Sequence, residues 1–205
     1  YPESLRVLEE MGAQIVPFSP LRDHETPDVD GLLFGGGFPE MFLDDLAGNH
    51  SMHQSLRAAA QIHMPIMAEC GGYMYLCRQV TSFEGIDYPM VGLIPEVCRM
   101  EKRLQTVGYV EAKALADNIL CMSGESLRGH EFHFSRMDAA CLPDERHPAF
   151  LITKNRTGAQ YMAGFSGENI LASYLHIHFA GNLKSARRFV DRCVDFRSAV
   201  RKGVS

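Results

Sequence analysis

Leu5, Leu8 and Met11 recur at helical spacing behind Pro2-Glu3-Ser4, and Gly12 closes the run. This pattern predicts a short amphipathic helix. Ala13 to Phe18 has the length and β-branched content of a strand, ended by Pro20. Val29 to Phe34 predicts a second buried strand, running into Gly35-Gly36-Gly37 and Phe38-Pro39-Glu40. A strand that ends in glycines is an α/β loop signal. Ser51 and Gln54 form a capping-box pattern ahead of Leu56, Ala59, Ala60 and His63, which predicts a helix from about Ser51 to His63. Met64 to Ala68, entered through Pro65, is a third apolar run that ends at Glu69-Cys70-Gly71-Gly72. Tyr73 to Val80 then resumes helical spacing.

From Val91 onward the pattern turns strand-like, in Val91 to Ile94, Leu104 to Val110, Gly129 to Phe134, Phe150 to Thr153, Tyr161 to Phe165 and Ile170 to Tyr174. Glycines and prolines, among them Gly108, Gly124, Pro143 and Pro148, punctuate these pieces. Lys184 to about Arg201 puts Ala186, Phe189, Val190, Cys193, Phe196 and Val200 on one face of a closing helix, with its arginines on the solvated side. An α/β first half and a strand-rich second half predict the α/β class: one mixed sheet flanked by helices on both faces. No repeat, low-complexity tract or linker divides residues 1–205, which read as one domain. The opening helix leads into a strand with no strand before it, so the chain is expected to be part of a longer protein.

Composition narrows the function classes. The chain has 205 residues, 46% hydrophobic and 22% charged, with 20 Lys+Arg against 25 Asp+Glu for a net charge of −5. That balance argues against a nucleic-acid clamp, and no apolar run approaches the ~20 residues of a membrane helix. The six cysteines are scattered without a C-x-x-C pair. A reducing, cytoplasmic compartment is expected, with most thiols acting as small buried hydrophobes.

Ile66-Met67-Ala68-Glu69-Cys70-Gly71-Gly72-Tyr73 has the form of a nucleophile elbow, in which a strand turns sharply into a helix and presents one side chain. At the start of that helix the macrodipole is expected to favour thiolate at Cys70; a buried cysteine beside a tight turn is the plainer alternative. A base for it must come from nine histidines. His130 with His133, in Arg128-Gly129-His130-Glu131-Phe132-His133-Phe134-Ser135, and His176 with His178, in Ser173-Tyr174-Leu175-His176-Ile177-His178-Phe179, form the two clusters outside polar loops. No Asp, Glu or Cys recurs around them with ligand spacing, so no metal site is assigned. Gly35-Gly36-Gly37 lacks the Lys and Ser/Thr of a phosphate loop. An oxyanion hole needs only closely approaching N–H groups and suits the run better, with a simple tight turn as the alternative.

Gly35-Gly36-Gly37-Phe38-Pro39-Glu40, Ala68-Glu69-Cys70-Gly71-Gly72, Arg128 to Ser135 and Ala172 to Phe179 together resemble the class I, triad-type glutamine amidotransferases, which have a flavodoxin-like fold. Within that class they are most similar to the C-terminal domain of the cobyrinic acid a,c-diamide synthase family. The resemblance implies that Cys70 is the nucleophile and His176 the catalytic histidine of a glutaminase. It implies an oxyanion and substrate site formed by Gly36, Gly37, Gly71, Arg128, His133 and Ser135. It also implies glutamine as substrate, no cofactor in this domain, and an N-terminal synthetase domain using ATP and Mg to amidate a tetrapyrrole carboxylate; no nucleic-acid or membrane partner is expected. Two positions depart from the broader pattern. Ala68 stands for the first glycine of the usual G-x-C-x-G elbow, and His178 stands where the usual triad has Glu. His178 is thus at most an orienting group for His176, without the charge a carboxylate would bring.

Overall fold

The computed structural model describes residues 2–139 and 147–203. Cys141, Pro143 and Tyr1 lie outside the described residues.

Helix α1 (Pro2–Glu10) is followed by strand β1 (Leu32–Phe34), helices α2 (Leu43–Gly48) and α3 (His50–Gln61), strand β2 (Ile66–Glu69) and helix α4 (Gly71–Leu76). Strands β3 (Cys77–Thr81), β4 (Asp87–Pro89), β5 (Ile94–Met100), β6 (Thr106–Ala114), β7 (Ser126–His133) and β8 (Ser135–Ala139) come next. The chain closes with β9 (Phe150–Lys154), β10 (Gln160–Ala163), β11 (Phe165–Ser166), β12 (Ile170–Ser173), β13 (His176–Ile177) and helix α5 (Leu183–Arg201).

The α/β class holds, but the strands divide into three sheets: β1-β2-β12-β11, β10-β9-β6-β7-β13 and β4-β3-β5-β8. Burial explains the division. In the first sheet β1, β2 and β12 are parallel, and β2 and β12 are buried at every position. Strands with two apolar faces need cover on both sides. Ile66 and Ala68 join one cluster with Met52 and Leu56 of α3 and Tyr73 of α4, while Met67 and Leu171 join the other with Val7 and Leu8 of α1 and Phe189 and Val190 of α5. Strand β6 alternates buried and exposed residues in its second half. Such a strand suits an antiparallel sheet with one solvated face, and β6 pairs antiparallel with both β7 and β9.

Four sequence expectations are corrected. Ala13 to Phe18 is not a strand; Pro17 interrupts the run and lacks the N–H a ladder needs, although Phe18 still packs edge-on to Phe34 at 5.4 Å. The cap of α3 is Asn49, not Ser51: its side-chain oxygen accepts the Met52 N–H at 3.3 Å, and its amide donates to the Pro20 and Asp23 carbonyls. The helix predicted through Val80 ends at Leu76, because the carbonyls of Tyr75, Leu76 and Cys77 accept N–H groups of Val91, Leu93 and Gly92. That use of residues 91–93 also moves the strand expected at Val91 to Ile94 forward, to β5.

Candidate active site

The site gathers at the C-terminal ends of β1, β2 and β12, where an open parallel sheet presents its loops. Phe34 and Ala68 are partners in the β1–β2 ladder, and Ala68 and Ala172 in the β2–β12 ladder. The three chains therefore leave the sheet side by side, into Gly35, Cys70 and Tyr174.

Cys70 has φ +47° and ψ −102°, and it is one of two described non-glycine residues with positive φ. A side chain in that region costs about 1–3 kcal/mol and persists only where its surroundings enforce it. Here the Cys70 N–H donates to the Ser173 carbonyl at 2.8 Å and the Cys70 carbonyl accepts from Met74 at 3.0 Å. Glycines let the loops close on this turn. A Cβ on Gly71 would lie 2.9 Å from the Gly37 carbonyl, and one on Gly36 would lie 2.5 Å from the His176 ring. Gly36, Gly37, Gly71, Cys70 and His176 are thus brought together.

The protonation of Cys70 is the reverse of the dipole-based expectation. Burial pushes the Cys70 thiol up to about 12, against a lowering by the Gly71 N–H and with the Glu40 and Glu69 carboxylates adding to the rise. The helix behind it has only six residues, too little to outweigh desolvation. The thiol donates to the Phe132 carbonyl at 3.8 Å. Burial likewise brings His176 down to about 4, helped by His130 and His133. The resting site at neutral pH is therefore thiol and neutral imidazole.

His176 stacks on His130, its ladder partner, with centroids 4.9 Å apart and planes at 13°. His133 stacks on Tyr174 at 3.7 Å, and its Nδ1–H donates to the Ser135 carbonyl at 2.7 Å, which leaves Nε2 as an acceptor. The remaining sequence candidates sit elsewhere. Ser135 is buried with its hydroxyl 2.6 Å from that of Tyr174. Arg128 is exposed, its backbone tied to Asn182. His178 Nε2 pairs with Glu3 of α1 at 3.0 Å. Among the described residues no three His, Cys, Asp or Glu side chains converge as a metal would require.

Sequence reasoning passed over Glu69. Its carboxyl is buried, and Oε1 accepts the Ile177 N–H at 2.9 Å. A charged residue closing an otherwise apolar strand run was the available signal.

A family model described as the CobB/CobQ-like glutamine amidotransferase domain matches residues 1–184. The cobyrinate a,c-diamide synthase of Caldanaerobacter subterraneus subsp. tengcongensis is 42% identical over 197 residues, covering 96% of this chain and 43% of the relative. That of Listeria monocytogenes is 42% identical over 186 residues, covering 89% of this chain and 40% of its own. The chain thus spans less than half the length of the curated relatives it matches. PurLQS of Thermotoga maritima covers 96% of this chain and 92% of its own at a TM-score of 0.63 and 16% identity. The glutaminase domain of Trypanosoma brucei CTPS covers 95% and 88% at a TM-score of 0.59 and 12% identity; both share the fold. On the family match and the close relatives, this chain belongs to the CobB/CobQ-like glutamine amidotransferase domains.

Proposed function

We propose that this chain is the glutamine-hydrolysing part of a cobyrinate a,c-diamide synthase, releasing ammonia for a synthetase domain elsewhere in the same protein. The observation that carries the reading is Cys70, held at positive φ where β2 meets α4 and enclosed by the glycine loop that also contacts His176. Because thiol and imidazole are both neutral at rest, His176 takes the Cys70 proton as sulfur attacks the glutamine side-chain carbonyl. It then gives the proton to departing ammonia, and afterwards activates water against the thioester. The Gly71 N–H and one from Gly36 or Gly37 face the developing oxyanion, each such donor contributing roughly 3 kcal/mol. His133, with Nε2 free to accept, is the candidate for binding the substrate's donors.

The partner would be an N-terminal domain that uses ATP and Mg to activate the a- and c-carboxylates of cobyrinic acid; the similarity to the named synthases supports this. Nickel-sirohydrochlorin is the rival acceptor, since acceptor choice would lie outside this chain. Exposed Phe38, Met41 and Phe42 beside the glycine loop, and Val107, Tyr109 and Phe132 on β6 and β7, offer such a domain an apolar surface around the site. The position of His178, where the usual triad has Glu, favours a second reading as a docking module without turnover. Ammonia release from glutamine, measured with and without the synthetase domain, separates the two: release that requires Cys70 supports hydrolysis, and none in either setting supports docking.

A further inference from the structure

The usual triad places its carboxylate two residues beyond the base, and His178 occupies that position. Among the described residues, Glu69 bridges the nucleophile's strand and the base's strand through its carboxyl. It ends β2 immediately before Cys70, and its backbone lies opposite Ser173 of β12. The Ser173 carbonyl takes the Cys70 N–H at 2.8 Å, and the Ser173 hydroxyl accepts the Leu175 N–H at 3.2 Å. Glu69 Oε1 takes the Ile177 N–H, the amide that directly follows His176, at 2.9 Å. Residues 173–177, which carry the base, are therefore tied at both ends to the Glu69-Cys70 corner. Beyond that second tie, β13 has only two residues of ladder, His176 and Ile177 paired with His130 and Gly129 of β7.

We infer that Glu69 is a positioning residue for His176, its carboxyl clamping the backbone after the base to the strand that carries the nucleophile. The inference rests on the glutaminase reading and supplies what the His178 position lacks. An ionised carboxyl accepts an N–H more strongly than a neutral one, so the clamp tightens when Glu69 loses its proton. The titratable groups around the corner are Cys70 and Glu40 on the nucleophile side, His176, His130 and His133 on the β13–β7 side, and the His178–Glu3 pair beside α1. Burial raises Glu69 to about 7, whereas Cys70 lies near 12 and His176 near 4. Of the three groups at the corner, only Glu69 changes charge near neutrality.

The test is steady-state glutamine hydrolysis by the intact protein and by its Glu69→Gln and Glu69→Ala variants between pH 5.5 and 9, with circular dichroism confirming the fold. Misplacement of a reacting group by about 1 Å costs about 100-fold, and smaller shifts about 10-fold or more. Glu69→Ala should lose about that much in kcat with KM for glutamine nearly unchanged. Glu69→Gln, whose amide oxygen still accepts from Ile177, should recover part of the loss but not the rise of kcat with pH around neutrality. Should the alanine variant not fold, the near-isosteric glutamine variant decides alone. A Glu69→Gln protein with the wild-type rate and pH profile overturns the role of Glu69 while leaving the glutaminase reading intact. A wild-type protein that releases no ammonia overturns both.

Discussion

At the residue scale, the backbone of Cys70 separates strain from chemistry. Cys70→Ala keeps the positive φ and removes the sulfur, whereas Cys70→Gly removes both the sulfur and the strain. Both should abolish ammonia release, and the glycine variant should be more stable than the alanine variant by about 1–3 kcal/mol in urea unfolding. Equal stabilities would mean that the turn is unstrained. His176→Ala should reduce kcat by about 10²- to 10⁴-fold, and His178→Ala by much less, since His178 pairs with Glu3. Matched losses in parallel assays would mean that proton transfer has been given to the wrong histidine.

Glu69 also makes a prediction for stability. Its carboxyl titrates at an ordinary 4.5 when unfolded and at about 7 when folded. The folded chain therefore binds this proton more tightly, so stability is highest below about pH 4.5 on this account and is lost as pH rises through 7. The loss reaches roughly 3 kcal/mol above that point. Glu69→Gln cannot ionise, and its stability relative to wild type should climb by about this amount between pH 5 and pH 8. Parallel curves of unfolding free energy against pH would show that Glu69 ionises without cost in the fold.

At the scale of elements, the glycines of two loops divide the labour. A Cβ on Gly36 meets the His176 ring, whereas one on Gly72 meets Phe34 Cβ at 2.5 Å and the Phe34 carbonyl at 3.0 Å. Gly36→Ala should therefore lower kcat with a near-normal melting temperature, and Gly72→Ala should lower the melting temperature itself by several degrees. The reverse assignment in thermal melts and rate assays would contradict this geometry.

The same elements show what was legible in the sequence. Continuous apolar runs marked β1, β2 and β12, because strands covered on both faces leave no polar positions to confuse the period. The turn at Cys70 was legible because small residues crowd it. Ala13 to Phe18 has the β-branched content of a strand but also Pro17, which denies the run a ladder N–H. The end of α4 was hidden because its last carbonyls are satisfied by residues 91–93, a contact that no local pattern encodes. The division into three sheets was equally invisible, since pairing β3 in parallel with β5 but antiparallel with β4 is a choice among distant partners. At the site, Cys70, the glycines and His176 were found together. Ser135 and Arg128 take other partners, the Tyr174 hydroxyl and the Asn182 side chain, which adjacency in a motif does not reveal. The thiolate expected at Cys70 fails for a physical reason: burial outweighs the dipole of a helix this short.

At the scale of the whole molecule, the proposed function separates glutamine hydrolysis in this chain from acceptor activation in another domain. The chain contains no P-loop spacing after any glycine run, and its net charge of −5 gives no general attraction for polyphosphate. Calorimetry with the 205-residue chain should detect no ATP binding at micromolar concentrations, and micromolar affinity would contradict the proposed separation. Attack of Cys70 on a glutamine side-chain carbonyl is the step on which every later one depends. The most direct measurement is to treat the protein with an electrophilic glutamine analogue and locate the adduct by peptide mass spectrometry. Stoichiometric modification at Cys70, slowed by excess glutamine and lost in His176→Ala, is expected; a modified cysteine elsewhere, with Cys70 left free, would rule out Cys70 as the nucleophile.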